Sequence, residues 1–418
     1  MKQKGMIATI RSLTGNARIC ILTEPLWGIP YNLCLPYASL YMKELGVSVA
    51  QIGMIGSLYL LMSAIASFLS GVITDKFGRK KTTFWGDVIS WSIPELLWAF
   101  SQDVNWFFVA TIFNGCMRVT GNSWGLLLTE DSDDETVFKC NLLAQLMGLV
   151  SVVFMLFSGG AVARFGLVPT MRVLYIVGFI MMTTKFFVLN ATVRETSVGL
   201  RRMKETKNQS IWSMLWGCKD VYLHLLREKR ILLTMGMIAV FQIVSRLNEL
   251  FMSVYAVDHV GIAESNWMWI VLLKSLVTMV CIVLVIPRLQ IKSFKRPMVL
   301  AWCVFILSQL LLICAPQGAL GIAMLIGCSA LEGFALCLIS PIMDTMLIIN
   351  ADPDRRARIY GLVYGTILLG AAALPWIGGV MSKVSIHAPF MINVVMMLIG
   401  IALTIALAKA RKEEVPVE

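Results

Sequence analysis

Arg118, Arg246, Glu249, Lys274 and Glu332 each stand near the middle of a long apolar run. A charge at such a position costs about 2.5–3.5 kcal/mol on membrane-insertion scales, so it either pairs or marks a path for ions and polar solutes. Glu332, set in the stretch Ala-Leu-Glu-Gly-Phe-Ala, is expected to carry a proton. A carboxyl that is protonated when buried and ionised when wetted can couple proton movement to a change of exposure. Its structural alternative is a salt bridge to Lys274 or Arg246. Arg246 and Glu249, three residues apart, can simply neutralise each other on one helix face. Glu24, Asp87, Lys185 and Asp344 fall nearer the ends of their runs and carry less information, and Glu95 falls in the outer part of its run. Other chemistry has no support. There is no G-x-x-x-x-G-K-[ST] phosphate loop and no catalytic triad, so no enzyme is expected. His224, His259 and His387 are far apart, so neither a metal nor a cofactor is expected. The 10 cysteines are scattered, mostly within apolar runs, and read as small buried hydrophobes.

The elements that must position these charges are long apolar helices. The chain of 418 residues is 58% hydrophobic and 15% charged, against about 45–50% and 25% in ordinary globular proteins. Runs of about 20 apolar residues recur along it, each long enough to cross a bilayer core of about 30 Å. Twelve crossings are expected, at about 18–42, 49–70, 82–101, 104–128, 137–160, 168–191, 231–256, 266–287, 297–315, 318–345, 357–381 and 386–408. The expected fold is therefore all-α, with twelve transmembrane helices in two six-helix bundles. Residues 1–191 form the amino-terminal bundle, 192–230 a cytoplasmic linker and 231–418 the carboxy-terminal bundle. Pro25, Gly28, Pro30 and Pro36 interrupt the first crossing, and broken helices of this kind often line a transport path. In the linker, Ile211, Leu215, Cys218, Tyr222 and Leu226 share one helical face, with Trp212 and Trp216 nearby. That pattern suits an amphipathic helix at the membrane surface or one packed against protein. Met1–Arg18 is polar and basic, and no cleavable signal is expected. The net charge of +11 invites a nucleic-acid reading, yet most of the 36 Lys and Arg fall in connections on one side. That bias sets topology: a multi-pass protein of the inner or plasma membrane, both termini cytoplasmic, with no nucleic-acid partner.

Between the second and third runs lies Gly71-Val-Ile-Thr-Asp75-Lys76-Phe-Gly78-Arg79-Lys80-Lys81-Thr82, read as a tight basic turn. It resembles the signature loop between helices 2 and 3 of the major facilitator superfamily of secondary transporters, with the expected residue type at all seven defining positions. Arg118-Val-Thr-Gly121 resembles an R-x-x-G or R-x-x-x-G element on helix 4 of proton-coupled members, with Thr120 where glutamine is usual. Helix 5 departs from the drug–proton antiporters, because Gly148 to Gly160 contains no Gly-Pro step. That leaves direction and coupling open. Shifting the chain by 219 residues lays Gly159-Gly160 on Gly378-Gly379, Asp133 on Asp352 and Lys139 on Arg358. Two related six-helix halves are what the resemblance implies. Arg288 to Arg296, at the equivalent of the signature loop, keeps basic residues without the aspartate or glycines.

By that resemblance the chain is expected to be a secondary transporter working by alternating access, as symporter or antiporter. Its substrate site would lie between the halves, lined by Tyr31, Asn32, Arg118, Asn122, Gln242, Arg246 and Glu332. The cargo would be a small organic solute, amphipathic or anionic given the two arginines. Coupling would be to protons, through Glu332 and Arg118. Gly71, Asp75, Gly78, Arg79, Glu130, Asp131 and Arg358 would form a cytoplasmic gate. In it, Asp75 would meet helix 11 near Arg355–Arg358, and Arg79 would pair with Glu130 or Asp131. A monomer in the lipid bilayer is expected. The alternatives are a lipid or lysolipid flippase of the same fold, and a non-transporting membrane receptor or assembly protein. The 26 methionines and 12 tryptophans suit either a broad lipophilic pocket or ordinary packing and lipid contact.

Overall fold

The computed structural model describes residues 13–132, 151–217, 227–285, 294–349 and 356–412, with a few single positions between 137 and 148 and at 219. Among the described residues every regular element is helical. Eight helices among the described residues are long and apolar enough to cross a membrane. The first crossing is a rod in pieces: α1 (Gly15–Thr23), α2 (Pro25–Cys34), a 3₁₀ turn at Leu35–Tyr37 and α3 (Ala38–Glu44). Pro25 and Pro36 stand at the breaks, each removing an N–H from the helical ladder, while Pro30 is accommodated inside α2. Next come α4 (Val49–Phe77), then α5 (Arg79–Asp87), a π turn (Val88–Ser92) and α6 (Ile93–Ala99) as one rod, and α7 (Val104–Gly115) with α8 (Met117–Thr129) as another. The rods α9 (Met155–Phe165) and α10 (Leu167–Thr192) end the first half. Two short helices, α11 (Ser197–Glu205) and α12 (Ile211–Trp216), occupy the linker. The second half holds α13 (Lys229–Tyr255) with a π turn at Ala256–Val260, α14 (Trp267–Val285), α15 (Lys295–Ile313), α16 (Ala319–Ile349), α17 (Arg356–Ala371), α18 (Leu374–Met381) and α19 (Ala388–Lys412). The helical architecture is consistent with the expected twelve crossings in two bundles, and Leu61, Ile65, Phe187, Val280 and Leu398 turn outward as a lipid-facing surface would require.

The signature stretch is not a loop. Helix α4 continues to Phe77, so Gly71 and Asp75 belong to its last turns, and Gly78 alone makes the turn into α5. Gly78 has φ +85° and ψ 166°, a combination that glycine alone adopts without strain. The same device recurs at Gly166, with φ +83° and ψ 166°, between α9 and α10. Lys76-Phe77-Gly78 and Arg164-Phe165-Gly166 are thus matching basic-Phe-Gly turns, an internal repeat at the level of three-helix units.

The halves meet along α4. A Cβ on Gly53 would stand 2.4 Å from the Pro375 carbonyl oxygen, and one on Gly361 would stand 2.7 Å from that of Ser67. Gly379 lies 3.1 Å from the Gly53 Cα by the same measure, so the backbones of α4 and α18 touch through glycine. Small residues at such crossings let membrane helices pack closely. At the end away from Gly78 the halves are also tied by Lys43–Asp258, by Trp267 Nε1 donating to the Pro36 carbonyl at 2.9 Å, and by the Trp376 N–H donating to Ser57 Oγ at 2.9 Å. In the linker, α12 turns Met214 inward and leaves Trp212 and Trp216 exposed, while Cys218, Tyr222 and Leu226 lie outside the described residues.

Candidate functional site

The rod formed by α5, the π turn and α6 brings chemistry into the bundle. Pro94 has no N–H, so the Ser90 carbonyl loses its helical partner. The Asn114 side chain from α7 fills the gap, donating to Ser90 O at 2.9 Å. Beside this repaired break the helix widens at Val88–Ser92, and single π turns are frequent at functional sites. A spacing of four drifts by roughly 40° per step in a regular α-helix, and a wider turn reduces that drift. Asp87, Trp91 and Glu95 therefore form one stripe along the rod.

Tyr31, Cys34, Tyr59, Trp91, Glu95, Trp98, Asn114, Tyr175, Arg246 and Glu249 are among the residues that enclose a cavity of about 140 Å³. The first eight come from the amino-terminal half and the last two from α13, so the cavity lies between the halves. Arg246 reaches Glu249 at 2.8 Å and lies over the Tyr59 ring, 4.2 Å from its centroid. Tyr31 stacks on Trp27 at 4.8 Å and meets Trp91 edge-on at 5.8 Å. Glu95 is only 6% exposed, and its Oε2 finds no donor among the described residues. Gly178 on α10 makes room for it, since a Cβ there would come within 2.7 Å of that oxygen. Burying an ionised carboxylate without a donor is costly, so this position favours a neutral carboxyl or a cationic neighbour. Its sequence signal was the charge after Pro94 in an apolar run.

Of the other sequence candidates, Tyr31 and Arg246 line the cavity and the rest stand elsewhere. Asn32 donates to its own helix at Gly28 O, 2.7 Å away. Gln242 is half-buried outside the lining. Arg118 points across to the second half, 5.5 Å from the Tyr364 ring centroid, with its Nε unpartnered among the described residues. Asn122, one turn along, has a buried Nδ2 likewise without an acceptor. Glu332 is buried inside the carboxy-terminal half, with Lys274 at 3.4 Å and Asn248 Nδ2 at 3.3 Å. Asn393 extends that network by donating to Asn248 Oδ1 at 2.8 Å and Gln309 Oε1 at 3.0 Å.

At the signature turn Arg79 is 2% exposed and grips Glu130 with two bonds of 2.9 and 2.8 Å, while Asp75 lies 3.3 Å away. Such a bidentate pair is the strong form of an Arg–carboxylate contact. Glu195, which the sequence reading did not single out, accepts the backbone N–H groups of Arg79 and Lys80 at 2.8 and 3.0 Å. It thereby places a carboxylate at the N-terminus of α5, where the helix dipole favours negative charge. Thr196 Oγ1 donates to Glu130 Oε2 at 2.6 Å, and Ser197 Oγ donates to Asp131 Oδ1 at 2.7 Å. Thr206 Oγ1, bonded to the Arg202 carbonyl at 2.8 Å, also lies 3.2 Å from the Asp75 carbonyl, which sets the end of α11 against the end of α4. The Arg358 side chain, Asp352 and Arg355 lie outside the described residues.

A multi-pass helical protein in two halves, closing on a small mixed polar and aromatic cavity, has the build of a membrane transporter. The profile of the Major Facilitator Superfamily matches residues 28–320 and 250–418. The chain belongs to the Major Facilitator Superfamily, a family of non-enzymatic transporters. It is 22% identical over 379 residues to Multidrug resistance protein 2 of Bacillus subtilis (strain 168), covering 89% of this chain and 90% of that protein. Solved structures share the fold. They include the nucleoside transporter NupG (TM-score 0.68, 16% identity, 94% of this chain and 98% of that one). Another is the human organic anion transporter MFSD10 (0.63, 12%, 96% and 100%). A third is a POT family transporter in complex with a thioalcohol-conjugated peptide (0.68, 13%, 97% and 99%).

Proposed function

We propose that the protein carries a small organic solute across the cell membrane by alternating access, coupled to protons, with both termini cytoplasmic. The observation that carries this reading is Glu95, a buried carboxylate without a donor in a cavity lined from both halves. Taking up a proton there satisfies the carboxylate when the site is dry, and opening the site to water releases it. Glu95 is thus the first candidate for coupling, with Tyr31, Tyr59, Arg246 and Glu249 as solute contacts. The buried Glu332–Lys274 pair is the second coupling candidate. Arg246 is matched by Glu249, so the support for an anionic group on the cargo rests on Arg118 alone, which lies over the Tyr364 ring. Transporters of the same fold are named for drugs, nucleosides, organic anions and peptides, so small organic solutes are the common ground. The Asp75–Arg79–Glu130 cluster, with Gly71, Gly78, Asp131 and Arg358, would gate the cytoplasmic side.

The test is proton-driven uptake in proteoliposomes, screened over cationic dyes, nucleosides and dipeptides. Glu95→Gln should abolish uptake driven by a pH gradient while sparing solute exchange, and Glu332→Gln should retain at least half of the driven flux. The reverse pattern would move the coupling site to Glu332. Binding without flux for any solute would sink the transport reading.

A further inference from the structure

Beside the central cavity lies a second chamber of about 260 Å³, lined by Glu24, Trp27, Asp87, Trp91, Met117, Thr120, Gly121, Trp124 and Lys185. Trp91 and Met117 line both spaces, so they form the partition between them. We propose that this chamber is a second ligand station that takes a small monovalent organic cation. The inference rests on the central cavity being the solute site, and adds a station and a ligand charge to it.

Charge matching within the chamber carries the argument. Lys185 and Glu24 pair at 2.7 Å and cancel. Asp87, 7% exposed, receives one hydrogen bond, from the neutral Thr120 hydroxyl to Oδ1 at 2.6 Å. Among the described residues no donor reaches its second oxygen, so one buried carboxylate faces the chamber unmatched. The walls suit a cation. Lys185 Nζ already lies 5.7 Å from the Trp27 ring centroid and 5.6 Å from that of Trp124, showing that these indoles present faces to positive charge. The central cavity repeats the same balance, with Arg246 matched to Glu249 and Glu95 left over. Each space therefore carries one surplus carboxylate, both on the same helical stripe, with Trp91 between them.

The experiment uses the full chain in detergent and benzyltrimethylammonium as probe, with its uncharged carbon isostere neopentylbenzene as control. Binding is followed by tryptophan fluorescence and by equilibrium dialysis. Two saturable sites are expected for the cation, each at least about tenfold tighter than for the isostere. Asp87→Asn should remove one site and leave the Glu95-dependent one, Glu95→Gln should do the converse, and Asp87→Glu should restore the first. A matched melting midpoint and elution profile establish that Asp87→Asn is folded, and Asp87→Glu supplies the comparison where it is not. Equal affinity for the isostere, a single site in the unaltered chain, or two sites surviving in Asp87→Asn would each overturn the proposal. Binding needs no flux, so a chain that binds two cations but transports nothing refutes the transport reading alone. A chain that transports with a single cation site refutes only the second station.

Discussion

At the scale of single residues, partners decide what a charge is for. Arg79 and Glu95 are both buried ionisable groups, yet Arg79 is saturated by Glu130 and Asp75 while Glu95 has an oxygen without a donor. The first holds structure and the second is available to a ligand. Removing one member of a buried pair strands the others, which typically costs about 3–5 kcal/mol. Arg79→Ala leaves Glu130 with the Thr196 hydroxyl in place of a guanidinium, so its melting midpoint in detergent should fall well below that of Glu130→Gln. Arg79→Lys should fall between them, because an ammonium cannot form the two-pronged contact. A midpoint for Arg79→Lys equal to that of the unaltered chain would show that the guanidinium geometry is irrelevant. Residue type alone made Arg246 and Tyr31 visible in the sequence, since a polar group in an apolar run stands out. Glu95 was equally visible but was set aside for its depth along the run. Glu332 was favoured for its apolar neighbours in sequence; Lys274, the salt-bridge partner the sequence also offered, and Asn248 both reach its Oε1, while its Oε2 has no donor among the described residues. One-dimensional neighbours do not report three-dimensional partners.

At the scale of elements, apolar length made the helices legible, and punctuation within them was harder to read. The signature stretch looked like a loop because it is basic. Its hydrogen-bond ladder nonetheless runs on to Phe77, and one glycine of positive φ suffices to turn the chain. The linker capping of α5 by Glu195 depends on a contact across 116 residues, which no local pattern could announce. The glycines of α4 were legible only as glycines, and the structure shows what they touch. Replacing Gly53 by Ala puts a methyl 2.4 Å from the Pro375 carbonyl oxygen, a rigid backbone atom that cannot step aside. Overpacking of this kind costs about 1–3 kcal/mol, and here it falls on the interface between the halves. Gly53→Ala should therefore widen the separation of spin labels placed on the two halves near this end. Gly46→Ala, whose glycine has open space around it but φ +83°, should strain the turn and leave that separation unchanged. Identical distance distributions in the Gly53 variant and the unaltered chain would contradict the close-contact account.

At the scale of the whole molecule, the end away from Gly78 is tied by contacts of different kinds, and a pH-sensitive imidazole packs beside them within the second half. Tyr255 has a single O–H, which it donates to the Leu312 carbonyl at 3.0 Å. The 3.1 Å contact with His387 Nδ1 then requires the imidazole to be the donor, so Nδ1 carries the hydrogen. His259 stands over the same imidazole, with ring centroids 5.0 Å apart, and Asp258 beside it pairs with Lys43 of the first half. Burial, with the neighbouring His259 adding to it, holds the His387 imidazole below its ordinary value near 6.5. A group lowered in this way binds its proton more readily when the chain is unfolded. Stability is therefore intact above the ordinary imidazole range and falls as pH drops through it. His387 is half-buried and open to screening, so the effect is modest, a melting midpoint lower by about 1–2 °C at pH 5 than at pH 7.5 from this group. His387→Gln keeps a donor for Tyr255 and has nothing to titrate, so it should reduce the pH difference by that amount while leaving the midpoint at pH 7.5 within a degree or so. If the pH difference is the same with and without His387, the group that titrates lies elsewhere and this imidazole is no pH sensor.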